Sequence, residues 1–136
     1  MRKKIFSTII IVFGFVLLNL NTKAQAPNWA WTKSAGGADA DHATSVITDA
    51  SGNVYAAGYF RSVSIAFGTT TLNNAGNSKV DIFLVKYDAS GNVLWAKSAG
   101  GTSLDMPNSV TTDANGNILV AGYFKSSTIS FGSTGL

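Results

Sequence analysis

Apolar and polar positions along this chain follow the two-residue period of a strand rather than the 3.6-residue period of a helix. Ser45-Val46-Ile47-Thr48-Asp49 and Asn53-Val54-Tyr55-Ala56-Ala57-Gly58-Tyr59-Phe60 are two β-rich runs on either side of the tight turn Ala50-Ser51-Gly52. A longer polar stretch, Arg61 to Val80, carries a smaller apolar alternation at Ile65, Phe67 and Leu72. A third strand, Asp81 to Asp88, and a fourth, Val93 to Ser98, flank the turn Ala89-Ser90-Gly91. In the second strand Val54, Ala56 and Phe60 face one way, and Tyr55, Ala57 and Tyr59 the other. In the third, Ile82 and Leu84 oppose Phe83, Val85 and Tyr87, so both faces of the sheet are apolar and both require cover.

The pattern recurs. At an offset of 64, residues 28 to 72 match residues 92 to 136 at 25 of 45 positions without a gap. The duplication predicts an all-β chain of β-propeller blades: four-stranded antiparallel meanders with a 64-residue repeat, each packed between two neighbours, forming an incomplete propeller. The expected boundaries are a signal peptide over 1–24 and a repeat region over 25–136. The repeat region divides into a closing strand over 28–37, a first full blade over 38–101 and a partial second blade over 102–136. With fewer blades than the four to eight of a closed ring, the chain reads as a fragment of a longer product, and its open faces predict self-association of the isolated fragment.

Two motifs carry a family resemblance. They are Ser45-Val46-x-Thr48-Asp49-Ala50-Ser51-Gly52-Asn53-Val54-Tyr55-x-Ala57-Gly58, with a second copy from Ser109 to Gly122, and Asp81-x-Phe83-Leu84-Val85-Lys86-Tyr87-Asp88-x-x-Gly91-Asn92-x-x-Trp95. Together they resemble the SBBP-type β-propeller repeats of secreted and surface proteins of gram-negative bacteria. The resemblance implies an architecture and a location but no catalytic residues.

The first residues change the electrostatic picture. Arg2, Lys3 and Lys4 precede an apolar run from Ile5 to Leu20 and the small-residue stretch Ala24-Gln25-Ala26, the layout of a secretory signal peptide. Cleavage is expected after Ala24, because cutting after Ala26 would leave Pro27 first, and no membrane span is expected after cleavage. The formal charge of +3 then loses four basic residues, leaving six against seven aspartates. That near-neutral balance offers no basic patch and excludes nucleic acid as an expected partner. The chain has no cysteine, so neither disulfides nor thiolate chemistry is available.

Asp-x-x-Gly-Asn occurs three times, with Asp49 and Gly52, Asp88 and Gly91, and Asp113 and Gly116. One carboxylate per copy is too few for a calcium shell, and the pattern reads as a structural turn. Trp31 and Trp95 read as packing anchors between blades. The cluster Asp39, Asp41 and His42 is the densest in polar groups, yet only Asp41 recurs, as Asp105, which suggests a loop-fixing role for that residue. A single histidine makes a nucleophilic triad a poor reading, and neither a metal nor a cofactor is expected.

In such a meander the short Asp turns share one end of the blade. The opposite end collects the insertions Arg61 to Val80 and Lys125 onward and the inter-blade loops Gly36 to Thr44 and Gly100 to Asn108. That end is the expected binding surface, with Asp39, His42, Arg61, Asn73, Asn74 and Lys125 as contacts. The expected function is a secreted or surface-exposed scaffold that binds an extracellular protein or glycan without catalysis. The alternatives are an enzyme propeller, hydrolase or quinoprotein-like, whose active residues lie beyond residue 136, and a purely structural surface protein.

Overall fold

The computed structural model describes residues 26–76 and 79–136, so the signal-peptide expectation over 1–24 lies outside the described residues. All regular structure in them is β. The first repeat unit holds β1 (Asp41–Thr48), β2 (Val54–Phe60), β3 (Ser64–Phe67), β4 (Thr70–Asn73), β5 (Asp81–Tyr87) and β6 (Val93–Gly100). The second holds β7 (Asp105–Thr112), β8 (Ile118–Phe124), β9 (Ser130–Phe131) and β10 (Thr134–Gly135). The limits of β7 and β8 lie 64 residues beyond those of β1 and β2, so the duplication in sequence is a duplication in structure.

Strands β1, β2, β5 and β6 form an antiparallel meander in that order, the body of one blade. Its register places Val54, Ala56, Phe60, Phe83, Val85 and Tyr87 on one face, opposite Tyr55, Ala57, Ile82 and Leu84 on the other. Each face has its own cover. Over the first lies the β3–β4 hairpin, whose Ile65, Phe67 and Leu72 join Phe60, Phe83, Val85 and Tyr87 in the main core. The second is covered by β7, and by Ile129, which packs on Ile82 and Ala99.

Two sequence expectations change here. The stretches Gly36 to Thr44 and Gly100 to Asn108 are only partly loops, because β1 already starts at Asp41 and β7 at Asp105. A bulge between Ala43 and Ser45, repeated between Pro107 and Ser109, breaks the alternation there and hides the strand from a period-two reading. His42 is therefore a strand residue opposite Tyr59 and not a loop residue. Nor does the insertion 61–80 project from the end of the blade, since its hairpin folds back over the sheet to bury three apolar side chains.

The segment 28–37 makes no ladder; its one bridge joins Gly36 to Ala66. That bridge is the repeat mate of the Gly100–Ser130 pair between β6 and β9. Residues 28–37 thus stand to the first unit as β6 stands to the second, and each insertion hairpin is wedged between one unit and the last strand of the unit before it.

Candidate functional site

The three Asp-x-x-Gly-Asn turns have one geometry. Asp88 shows it: its backbone carbonyl accepts from the Gly91 amide at 3.0 Å, and its Oδ1 accepts from the Ser90 and Asn92 amides at 2.9 and 2.8 Å. Its Oδ2 accepts from the Asn92 side-chain amide at 2.9 Å. Asp49 with Asn53, and Asp113 with Asn117, repeat the arrangement. In all three the Asn side chain is the foremost cause that holds the Asp carboxyl below its ordinary value. Both carboxylate oxygens are occupied by the chain itself, so these turns offer no coordination sphere. The role of Asn53, Asn92 and Asn117 was missed in sequence, although their fixed spacing from Asp was the available signal. Asp49 is further engaged by the Tyr55 hydroxyl at 3.1 Å and by Lys86 at 3.8 Å.

At the other end of the blade the repeated acid is Asp41, or Asp105 in the second unit. Asp105 Oδ1 accepts from the Lys125 and Ser126 amides at 3.1 and 3.2 Å, and Oδ2 from the Ser126 hydroxyl at 2.7 Å. Asp41 takes the Arg61 and Ser62 amides at 3.2 and 3.3 Å, the Ser62 hydroxyl at 2.9 Å and the Gly37 amide at 2.7 Å. These acids fasten the end of β2 or β8 to the start of the strand beside it. Their serine partners were not singled out in sequence, though Ser62 and Ser126 recur at the 64-residue spacing.

The surface candidates fall around this scaffold. Asp39 and Arg61 form an exposed ion pair at 3.5 Å. His42 lies against Tyr59 with ring centres 5.0 Å apart. Asn74 is structural, since its side-chain amide donates to the carbonyls of Phe60 and Lys79 and its Oδ1 accepts from Gly76. Asn73 closes β4 opposite Ser64 and is exposed. Lys125 is exposed too, and Ser103 stands where its counterpart Arg61 has Asp39. The structure therefore gathers Asp39, His42 and Arg61 on one end of the first unit, with Lys125 at the same end of the second.

This geometry and the 64-residue repeat meet a known protein. The chain is similar to a WD repeat-containing protein of Acanthamoeba polyphaga mimivirus. The two are 29% identical over 132 residues, which is 93% of this chain and 10% of that protein. The chain thus spans about a tenth of the length of its relative. No family model matches the chain, and no solved structure matches it. A repeat relative across nearly the whole chain, with one antiparallel four-stranded meander and the β7–β8 hairpin of the next unit packed on its face, supports a β-propeller-like repeat architecture with an incomplete arrangement of blades.

The two tryptophans differ. Trp31 reaches across from the 28–37 segment to Tyr87, with ring centres 5.5 Å apart, and donates from Nε1 to the Ala89 carbonyl at 3.2 Å. Trp95 packs edge-on against Tyr55 of its own sheet at 6.2 Å.

One acid stands apart. Asp81 is 1% exposed, its Oδ2 accepts from the Ala75 amide at 2.5 Å, and among the described residues its Oδ1 has no partner within hydrogen-bond geometry. Burial first, and the charge of Asp105 after it, push its carboxyl above the ordinary value. The Gly100 backbone lies so close that a Cβ there would collide with the Asp81 carboxyl group, which leaves no opening from that side. Among the described residues no three histidine or acidic side chains converge as a metal site.

Proposed function

We propose that the chain is part of a secreted β-propeller-repeat scaffold that binds an extracellular protein or glycan and performs no chemistry of its own. The observation that carries this reading is the division of labour among its polar groups. The recurring acids Asp41, Asp49, Asp88, Asp105 and Asp113 are spent on backbone amides and neighbouring side chains, whereas the residues that vary between units, Asp39, His42, Arg61 and Lys125, are exposed at one end. A rigid repeated frame with variable polar groups at one end is the arrangement of a binding surface. The name of the viral relative, a WD repeat-containing protein, supports a repeat scaffold. The finer assignment to SBBP-type repeats rests on the two motifs from Ser45 to Gly58 and from Asp81 to Trp95, and export from a gram-negative cell rests on residues 1–24.

The test is binding of the chain to an array of surface polysaccharides and extracellular-matrix proteins, with His42, Arg61 and Lys125 replaced together by alanine. Loss of every array signal at an unchanged melting temperature is the expected result. Signals that survive the triple substitution would place binding elsewhere.

A further inference from the structure

The three Asp turns differ at one position that their common geometry does not dictate. The residue before the turn glycine is Ser51 in the first, Ser90 in the second and Asn115 in the third. Asn115-Gly116 is the one asparagine–glycine pair in the chain, and it has a chemistry that the serine turns lack. A deprotonated backbone amide nitrogen can attack the side-chain carbonyl carbon of a preceding asparagine, and a glycine amide does so most readily because no Cβ crowds the approach.

The fold leaves Asn115 open to this reaction and restrains the asparagines around it. The side-chain amides of Asn53, Asn92 and Asn117 donate to the acid of their own turn at 2.8, 2.9 and 2.7 Å, which fixes their orientation. Asn74 is held in the same way by the carbonyls of Phe60 and Lys79. The side chains of Asn28, Asn73, Asn108 and Asn115 make no hydrogen bond among the described residues, and of these four only Asn115 precedes a glycine. Asn115 is exposed, and so are Ser51 and Ser90, its counterparts in the complete first unit. Its exposure therefore belongs to the turn and does not depend on what lies against the second unit. The nucleophile, the Gly116 amide, is restrained by one bond, to the Asp113 carbonyl at 3.1 Å, and a single bond in an exposed turn opens readily.

We infer that Asn115 is a site of spontaneous modification, converted through a succinimide to aspartate and isoaspartate, and that the isoaspartyl form opens the third Asp turn. The Gly116 nitrogen gives its proton to solvent and bonds to Cγ of Asn115, while the Cγ–Nδ2 bond breaks and that nitrogen leaves as ammonia. Water then opens the ring. Opening at Cγ gives aspartate on an unchanged backbone; opening at the backbone carbonyl gives isoaspartate, in which the chain runs on through Cγ. Nothing is oxidised or reduced. Asp113 Oδ1 accepts from the amides of residues 115 and 117 at 2.9 and 2.8 Å, and the extra backbone carbon of isoaspartate falls between those two donors, so one carboxylate oxygen no longer holds both.

Peptide mapping of the whole chain, held in mildly alkaline buffer at physiological temperature, tests the inference. Ammonia loss and a gain of one dalton should appear at Asn115 at least about tenfold faster than at Asn73 or Asn108, a barrier lower by about 1.4 kcal/mol. Isoaspartate, labelled by an isoaspartyl methyltransferase, should fall to background in Asn115→Ser, which restores the residue of the other two turns, and should form more slowly in Gly116→Ala. In the separated isoaspartyl form the Asn117 amide should lose its protection from hydrogen exchange while Asn53 and Asn92 keep theirs. Conversion at Asn115 no faster than at Asn73 or Asn108, or isoaspartate undiminished in Asn115→Ser, would overturn the assignment of the site. An isoaspartyl chain whose Asn117 amide stays protected would overturn the opening of the turn.

Discussion

Gly91 and Gly116 hold equivalent places in two of the three Asp turns, at φ of 81° and 80°, yet alanine at the two positions has different consequences. At Gly116 an added Cβ meets nothing within 4 Å, so only backbone strain counts. That strain is about 1–2 kcal/mol for a residue held in the left-handed region, offset by about 0.4–1 kcal/mol from the less flexible unfolded chain. The net cost of Gly116→Ala is therefore about 1 kcal/mol. At Gly91 the same Cβ falls 2.6 Å from Cδ2 and 2.8 Å from Cγ of Trp31, well inside van der Waals contact. The ring, held between this turn and Tyr87, must move by about 1 Å to restore contact at about 3.5 Å. That shift breaks the Nε1 bond to Ala89, worth about 1 kcal/mol, and weakens the Trp31–Tyr87 pair, worth about 0.5–1.5 kcal/mol.

Gly91→Ala should therefore cost about 2–3 kcal/mol, and melt roughly 5–15 °C below Gly116→Ala for a domain of this size. Urea unfolding of the two variants measures the difference, and a third chain isolates its cause: in a Trp31→Ala background, Gly91→Ala should cost no more than Gly116→Ala does. Equal stabilities for Gly91→Ala and Gly116→Ala would refute the reasoning, because Trp31 would then not lie on the turn. A Gly91 penalty unchanged by Trp31→Ala would assign it to strain alone.

Other consequences follow from the acids. Asp81 has a raised folded pKa, so its ionised form opposes folding; the stability tied to its proton is fully present below the ordinary carboxyl value and is lost as pH rises through the folded one. Asp81→Asn should therefore gain on the parent chain between acid and neutral pH in melting scans, and a constant difference would contradict the burial argument. Asp88 has a lowered folded pKa, so its contribution is present above the ordinary carboxyl value and lost as pH falls, and the deficit of Asp88→Asn in the same scans should shrink toward acid pH. Asp105→Ala removes the acceptor of three donors at a fully buried site and should cost about 2–3 kcal/mol by urea titration. Asp41→Ala, at a site that water reaches, should cost roughly 1 kcal/mol less, and the reverse order would contradict the burial of the second site.

Much of the fold was legible in sequence because two independent periodicities agree in it. The two-residue alternation located β1, β2, β5 and β6, and the 64-residue repeat predicted that β7 and β8 would copy β1 and β2. The start of β1 was not legible, since the bulge at Ala43 and Ser45 shifts the alternation by one residue and mimics a loop. Ile65, Phe67 and Leu72 announced a strand pair in the insertion, but periodicity gives an element's faces and not the surface it lands on. At the candidate site, the recurrence of Asp41 as Asp105 marks its loop-fixing role in the sequence, whereas its partner Ser62 lies about twenty residues away and leaves no local pattern. Only the recurrence of that serine as Ser126 could have exposed it.

Face-to-face stacking of the two repeat units is the claim on which the rest depends, and site-resolved amide hydrogen exchange on dilute protein tests it most directly. Val46 and Val110 are repeat mates on equivalent strands, but only the Val110 amide is buried against a neighbouring unit and bonded to Ser45. The stacked arrangement predicts that Val110 exchanges only as the units separate, at least tenfold more slowly than Val46, a factor of about 1.4 kcal/mol in opening free energy. Equal and rapid exchange at the two positions would mean that the units do not stack, and the blade arrangement described for this chain would be wrong.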